Sequence, residues 1–138
     1  MYRFYTVLPV VLALIENEGR VLLGKRARRP YYNRWDLPGG RVNPSEFLED
    51  AIKREVKEET ALIISKLRLD GAYHYPGNEG SPAIFLLYYT QFFRGEIELT
   101  EELPDLNWFN RKDITHLELT PWSEHFLKEN VKNHTKSQ

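Results

Sequence analysis

Apolar residues fall along this chain in short runs broken by turn chemistry, which is how strands announce themselves. Thr6–Ile15 and Val21–Ala27 are two such runs, and Glu16-Asn17-Glu18-Gly19 between them is a turn cluster, so they read as a strand pair. Arg28–Asn33 is a loop of Arg, Pro and Tyr, and Trp35–Gly40 is a short extended stretch ending in two glycines. Asn43-Pro44-Ser45-Glu46 combines two candidate N-caps, a proline and an early acid, which predicts a helix from about Ser45 to Thr60. Leu67–Tyr75 reads as a strand that stops at Pro76-Gly77. Ala83–Phe93 is almost wholly apolar and β-rich, as a central strand covered on both faces should be. Gly95–Leu99 reads as an edge strand and Leu106–Phe109 as another short one. Thr120-Pro121 opens a final helix whose apolar side is Trp122, Phe126 and Leu127, and the polar residues 133–138 read as a frayed tail. There is no internal repeat. Strands interleaved with two helices predict one α/β (α+β) domain over residues 1–138, a mixed sheet between helices, with a strand order the pattern does not give.

One helix breaks its own pattern. At about 100° per residue, Leu48, Ala51, Ile52 and Val56 form an apolar arc, and Glu46, Glu49, Asp50, Lys53 and Lys57 face the other way, as a solvated side does. Glu55 and Glu59 project near the middle of the apolar arc, Glu58 at its margin and Arg54 at the boundary. A solvated acidic face with i,i+4 pairs explains Glu49 and Lys53. It does not explain two carboxylates aimed at the core side, which are costly without a cationic partner. A hard divalent cation with oxygen ligands is the economical partner, and spacing and burial alone suggest a metal site.

Composition narrows the class. The 138 residues are 41% hydrophobic, enough for a core, and the formal net charge is −1. With a pI near 6.4 the chain does not resemble a nucleic-acid module, although small anionic ligands remain open because local field outweighs total charge. Cysteine is absent, which removes disulfides and thiolate metal sites. Val7–Ile15 loosely mimics a secretory signal but contains Pro9, ends in Glu16-Asn17-Glu18 and is too short to span a bilayer, so it reads as a buried strand. A cytoplasmic protein with no membrane partner is the default expectation.

The segment Gly40-Arg41-Val42-Asn43-Pro44-Ser45-Glu46, seven residues, then Arg54-Glu55-Val56-Lys57-Glu58-Glu59-Thr60-Ala61-Leu62, resembles the Nudix box, G-x5-E-x7-R-E-U-x-E-E-x-G-U. Six of its seven polar or glycine positions match, at about one chance in ten million per starting point. Trp35-Asp36-Leu37-Pro38-Gly39-Gly40 looks like the usual lead-in. The one departure is Ala61, where the box has glycine. A glycine there would serve a left-handed helix cap, which alanine adopts at a cost of about 1 kcal/mol.

The resemblance implies a Nudix fold, an α/β/α sandwich, and a Mg²⁺- (or Mn²⁺-) dependent hydrolase acting on a small nucleotide. Glu55, Glu58 and Glu59 would bind the metal with the backbone carbonyl of Gly39, Arg54 would hold a box glutamate, and Gly40 and Glu46 would support the site. A later glutamate often completes such sites, and Glu101 and Glu102 are the candidates. For substrate contacts, Arg26 is a possible phosphate clamp or a surface charge, with Lys25, Arg28 and Arg29 extending a basic cluster. Tyr31, Tyr32 and Trp35 could stack on a base, with core or structural support the favoured reading of Trp35. Tyr73, His74 and Tyr75 lead into Pro76, whose place about fifteen residues beyond the box looks like the ADP-ribose pyrophosphatase subgroup; His116 and His125 read as surface. MutT-type cleavage of nucleoside triphosphates is slightly favoured over ADP-ribose or other sugar nucleotides. A non-catalytic nucleotide-sensing module is the reading from another class, and such modules typically lose box carboxylates that this chain keeps. Monomer and homodimer stay equally open.

Overall fold

The computed structural model describes residues 6–136, with side chains as far as residue 130. Its axis is β1 (Leu8–Asn17). Val11, Ala13 and Ile15 face one side, Leu12 and Leu14 the other, and all five are buried. That two-sided burial is why the run reads as continuous apolar sequence instead of alternating. β6 (Ala83–Arg94) lies parallel to β1 from Leu8↔Ala83 to Ile15↔Thr90 and is central, as its composition predicts. β5 (Ile63–Tyr75) runs antiparallel along its outer edge. β5 begins at Ile63, four residues before the predicted start, because three register shifts interrupt its alternation and hide its first half from a period-2 reading.

On its other edge β1 changes partner. β4 (Gly39–Arg41) pairs with Val10–Leu12, and β2 (Arg20–Lys25) with Glu16 and Asn17. β2 then pairs with β7 (Leu106–Asn110) and with β3 (Trp35–Asp36). Between the two partners, Ala13 N–H donates to Pro38 O at 2.8 Å. The resulting sheet is mixed and seven-stranded. α1 (Leu48–Thr60) covers one face through Ala51, Ile52 and Val56, and α3 (Pro121–Lys136) the other through Trp122, Phe126 and Leu127. α2 (Arg111–Ile114) is a single turn after β7. The α/β/α sandwich is the one expected.

Several local expectations are corrected. Glu16 and Asn17 belong to β1, and the turn is only Glu18-Gly19, because Glu16 is buried against Arg111, Tyr89 and Gln91 instead of facing water. α1 starts at Leu48 with Phe47 at the cap and no side-chain cap bond. Asn43–Glu46 forms a turn instead, with Glu46 N–H donating to Asn43 O at 3.0 Å. Glu46 is held there by Arg54, so it is not on a solvated helix face, and Leu48 in the first turn is exposed. Gly95–Leu99 is not a strand; Glu98 N–H ties it to Thr60 O at the end of α1. α3 stays helical to Lys136, past the predicted fraying point, and residues 137–138 lie outside the described residues.

Candidate active site

The box reaches the sheet through its glycines. A Cβ on Gly39 would stand 2.0 Å from Val11 O, and one on Gly40 2.5 Å from the Glu55 carboxyl carbon. Gly39, against main chain, therefore needs glycine for close approach, while a side chain at Gly40 would displace the Glu55 carboxylate. Gly39 N–H donates to Glu59 Oε1 at 2.7 Å. Glu59 is only 9% exposed, and burial pushes its carboxyl well above the usual range; the Gly39 bond opposes this, while Glu55, Asp36 and Glu102 add to it. Burial also raises Glu55, against the pull of Arg54. Glu58, at the margin of the arc, is 57% exposed. The helical projection thus separates the three glutamates as the structure does.

Arg54 is the hub. Its Nε donates to Glu46 Oε2 (2.7 Å) and its Nη2 to Glu46 Oε1 (2.9 Å) and Arg41 O (3.1 Å). Its Nη1 donates to Glu55 Oε1 (2.9 Å) and Glu58 Oε2 (3.3 Å). The paired bonds hold the Glu46 carboxyl down at about 2. Among the described residues no three carboxylates or imidazoles stand together as a ligand set, since Arg54 draws Glu55 and Glu58 to itself. The donors nonetheless fit a hard divalent ion. They are all oxygen, two resist ionisation through burial, and they disfavour one another's charge.

These groups line one cleft of about 570 Å³. Glu55, Glu58 and Glu59 enter from the α1 side, and Tyr75, Phe85 and Trp122 from the α3 side. Of the predicted contacts, Arg26 and Tyr75 line the cleft, as do Arg28, Arg29 and Glu102. Arg26 is already engaged, donating Nη1 to Asp36 Oδ2 (3.0 Å) and Nε to Pro30 O (2.7 Å). The Tyr75 hydroxyl is shared with Tyr31 (2.7 Å) and the main chain of Glu79. Tyr32 is 63% exposed and outside the lining. Trp35 packs edge-on to Phe109 at 4.9 Å, so the structural role weighed for it is the one seen. Glu101 does not line the cleft. His116 is exposed, but His125 lies half-buried on Tyr73, with ring centroids 4.5 Å apart. The sequence places specificity in the loops Arg28–Trp35 and Tyr73–Glu79, and Glu79 does line the cleft, but the pattern reading overlooked Asp36, Arg41 and Trp122. An acid inside the apolar stretch Trp35–Leu37 was the available signal for Asp36; Trp122 was visible only as helix core.

The model of the NUDIX domain family matches residues 6–129. An ADP-ribose pyrophosphatase of Methanocaldococcus jannaschii is 30% identical over 118 residues, 84% of this chain and 70% of the relative. The nucleoside triphosphatase NudI of Escherichia coli is 30% identical over 122 residues, 80% of this chain and 86% of the relative. The crystal structure of a MutT NUDIX hydrolase from Burkholderia pseudomallei superposes with a TM-score of 0.83 at 30% identity, covering 89% of this chain and 97% of that one. No helix among the described residues is long and apolar enough to cross a membrane. With box, fold and relatives in agreement, the chain belongs to the NUDIX family and is a Nudix hydrolase.

Proposed function

We propose that this chain is a Mg²⁺- (or Mn²⁺-) dependent pyrophosphohydrolase of nucleoside triphosphates or related small nucleotides, working as a single domain over residues 1–138. The observation that carries this reading is the pair of desolvated carboxylates, Glu55 and Glu59, beside Glu58 in a cleft also lined by Arg26, Arg28, Arg29 and Arg41. Glu55, Glu58 and Glu59, with Gly39 carbonyl, would hold the ion, and Glu102, which lines the cleft where Glu101 does not, would complete the set. A bound divalent ion supplies neutralisation of the polyphosphate and a more acidic water. Arg54 positions Glu55 and Glu58 and keeps Glu46 folded back, with Gly40 leaving room for the Glu55 carboxyl. The arginines at the mouth favour an anionic chain of phosphates, and Tyr75 and Trp122 offer an apolar wall to the nucleoside.

ADP-ribose is the second reading, and the Methanocaldococcus jannaschii relative named an ADP-ribose pyrophosphatase supports it. The triphosphate reading is preferred because the relative named a nucleoside triphosphatase is matched over more of its own length. Initial rates with standard and oxidised nucleoside triphosphates beside ADP-ribose, in Mg²⁺, test the choice. The best triphosphate should exceed ADP-ribose in kcat/KM. A preference of about a hundredfold for ADP-ribose, lost on replacing residues near Pro76, reverses it.

A further inference from the structure

Asp36 is 6% exposed, and both of its carboxylate oxygens are in use. Oδ1 accepts from Thr120 Oγ1 (3.0 Å), Trp122 Nε1 (3.0 Å) and Ser123 Oγ; Oδ2 accepts from Arg26 Nη1 (3.0 Å). Ser123 Oγ in turn accepts from Leu37 N–H at 3.0 Å, which fastens the start of α3 to the segment leading into Gly39. A buried carboxylate needs compensating donors. Here two of the four donors, Arg26 and Trp122, are themselves walls of the cleft. The indole that Asp36 fixes stacks on Phe85, with centroids 4.4 Å apart at 14°, and meets Tyr75 edge-on at 5.3 Å. The guanidinium that Asp36 fixes stands 6.0 Å over that same indole.

We propose that Asp36 is a positioning residue for substrate binding: it holds Arg26, on the phosphate side, and Trp122, on the nucleoside side, in one arrangement, so that it sets how tightly a nucleotide is seated and not how fast it is cleaved. This rests on the reading of the substrate as a nucleotide. Uniform binding of this kind shows in KM with kcat kept. Asp36→Asn separates the two halves of the role. The amide keeps one acceptor for Thr120, Trp122 and Ser123, but its NH₂ faces Arg26 Nη1, donor against donor, and releases the guanidinium.

The test compares wild type, Asp36→Asn, Arg26→Gln and the double variant for kcat, KM, and the Kd of a non-hydrolysable triphosphate analogue in Mg²⁺. Asp36→Asn should raise KM and Kd by about ten- to a hundredfold, the worth of a bond to a charged group, with kcat within about threefold. The double variant should be no worse than Arg26→Gln, because both act through one contact. Unchanged KM, a fall confined to kcat, or additive effects overturn the proposal and leave the nucleotide reading standing. A wild-type protein that binds no nucleotide overturns that reading instead. Should Asp36→Asn fail to fold, Thr120→Val removes one of the donors that fix Asp36 and leaves every cleft wall in place. KM must then rise with kcat kept, and an unchanged KM overturns the assignment.

Discussion

At Glu59 the proposed role in holding the ion and the stability of the fold pull in opposite directions. Its carboxyl is raised by burial, so the folded metal-free protein binds a proton there that the unfolded chain releases near pH 4.3. The folded state therefore loses stability as pH climbs from about 4.3 through the raised value. Glu59→Gln removes the charge and keeps an acceptor for Gly39 N–H. We expect it to raise Tm at pH 7–8 without metal, with the gain vanishing below about pH 4, while kcat falls by orders of magnitude. Equal Tm values at neutral pH would show that the buried charge costs nothing. Ala61 makes a separate case. It takes φ 70°, and its N–H donates to Lys57 O at 3.0 Å, as a left-handed helix cap does. Ala61→Gly should raise the denaturant midpoint by an amount equivalent to about 1 kcal/mol; a lower midpoint would remove the cap account. Both residues were legible because each sits at a fixed offset in a regular helix. Asp36 was not, since the two-residue strand that carries it has no period to betray which way a side chain turns.

At the scale of elements, periodicity found what periodicity can find. The apolar run Ala83–Phe93 gave β6 within one residue of its end, and the edge strand expected after it did not form. Glycine and alternating acids in Gly95–Leu99 imitate a strand, but the segment's recorded main-chain bond goes to the end of α1. The start of α1 was misplaced for an electrostatic reason. Arg54 claims the Glu46 carboxylate from eight residues downstream, and a turn wins over another helical turn. The consequence is a cap at Phe47, 80% exposed and without a side-chain acceptor. Phe47→Asp supplies one, together with a negative charge at the positive end of the helix dipole. It should stabilise the fold by about 1 kcal/mol in urea unfolding, with activity unchanged. No gain would mean that the first turn is already satisfied.

At the scale of the molecule, the layers were legible and the pairing was not. Two-sided burial of β1 and β6 demands helices on both faces. Nothing local says that β1 will pair with β4 and then with β2, leaving room for a cleft where the glycines of the box meet the helix of glutamates. Away from the cleft, Arg111 braces the structure. Its Nη2 donates to buried Glu16 Oε2 at 2.8 Å and reaches Asn130 on α3, which in turn donates to Asp70 at 3.0 Å. Arg111→Leu would leave Glu16 uncompensated and should destabilise the fold by about 3 kcal/mol. The loss should shrink as pH falls through the carboxylate range, because a protonated Glu16 no longer needs the cation. A loss independent of pH would assign the effect to packing.

We propose that the box glutamates of this cleft carry the hydrolysis of a nucleotide phosphoanhydride. Phosphorus NMR of a nucleoside triphosphate incubated with Mg²⁺ and either wild type or Glu58→Gln tests it most directly, because exposed Glu58 can be changed with little effect on the fold. Nucleoside monophosphate and pyrophosphate are expected from the wild type, and turnover lower by orders of magnitude from the variant at unchanged Tm. Near-wild-type turnover by Glu58→Gln, with the same products, would contradict it.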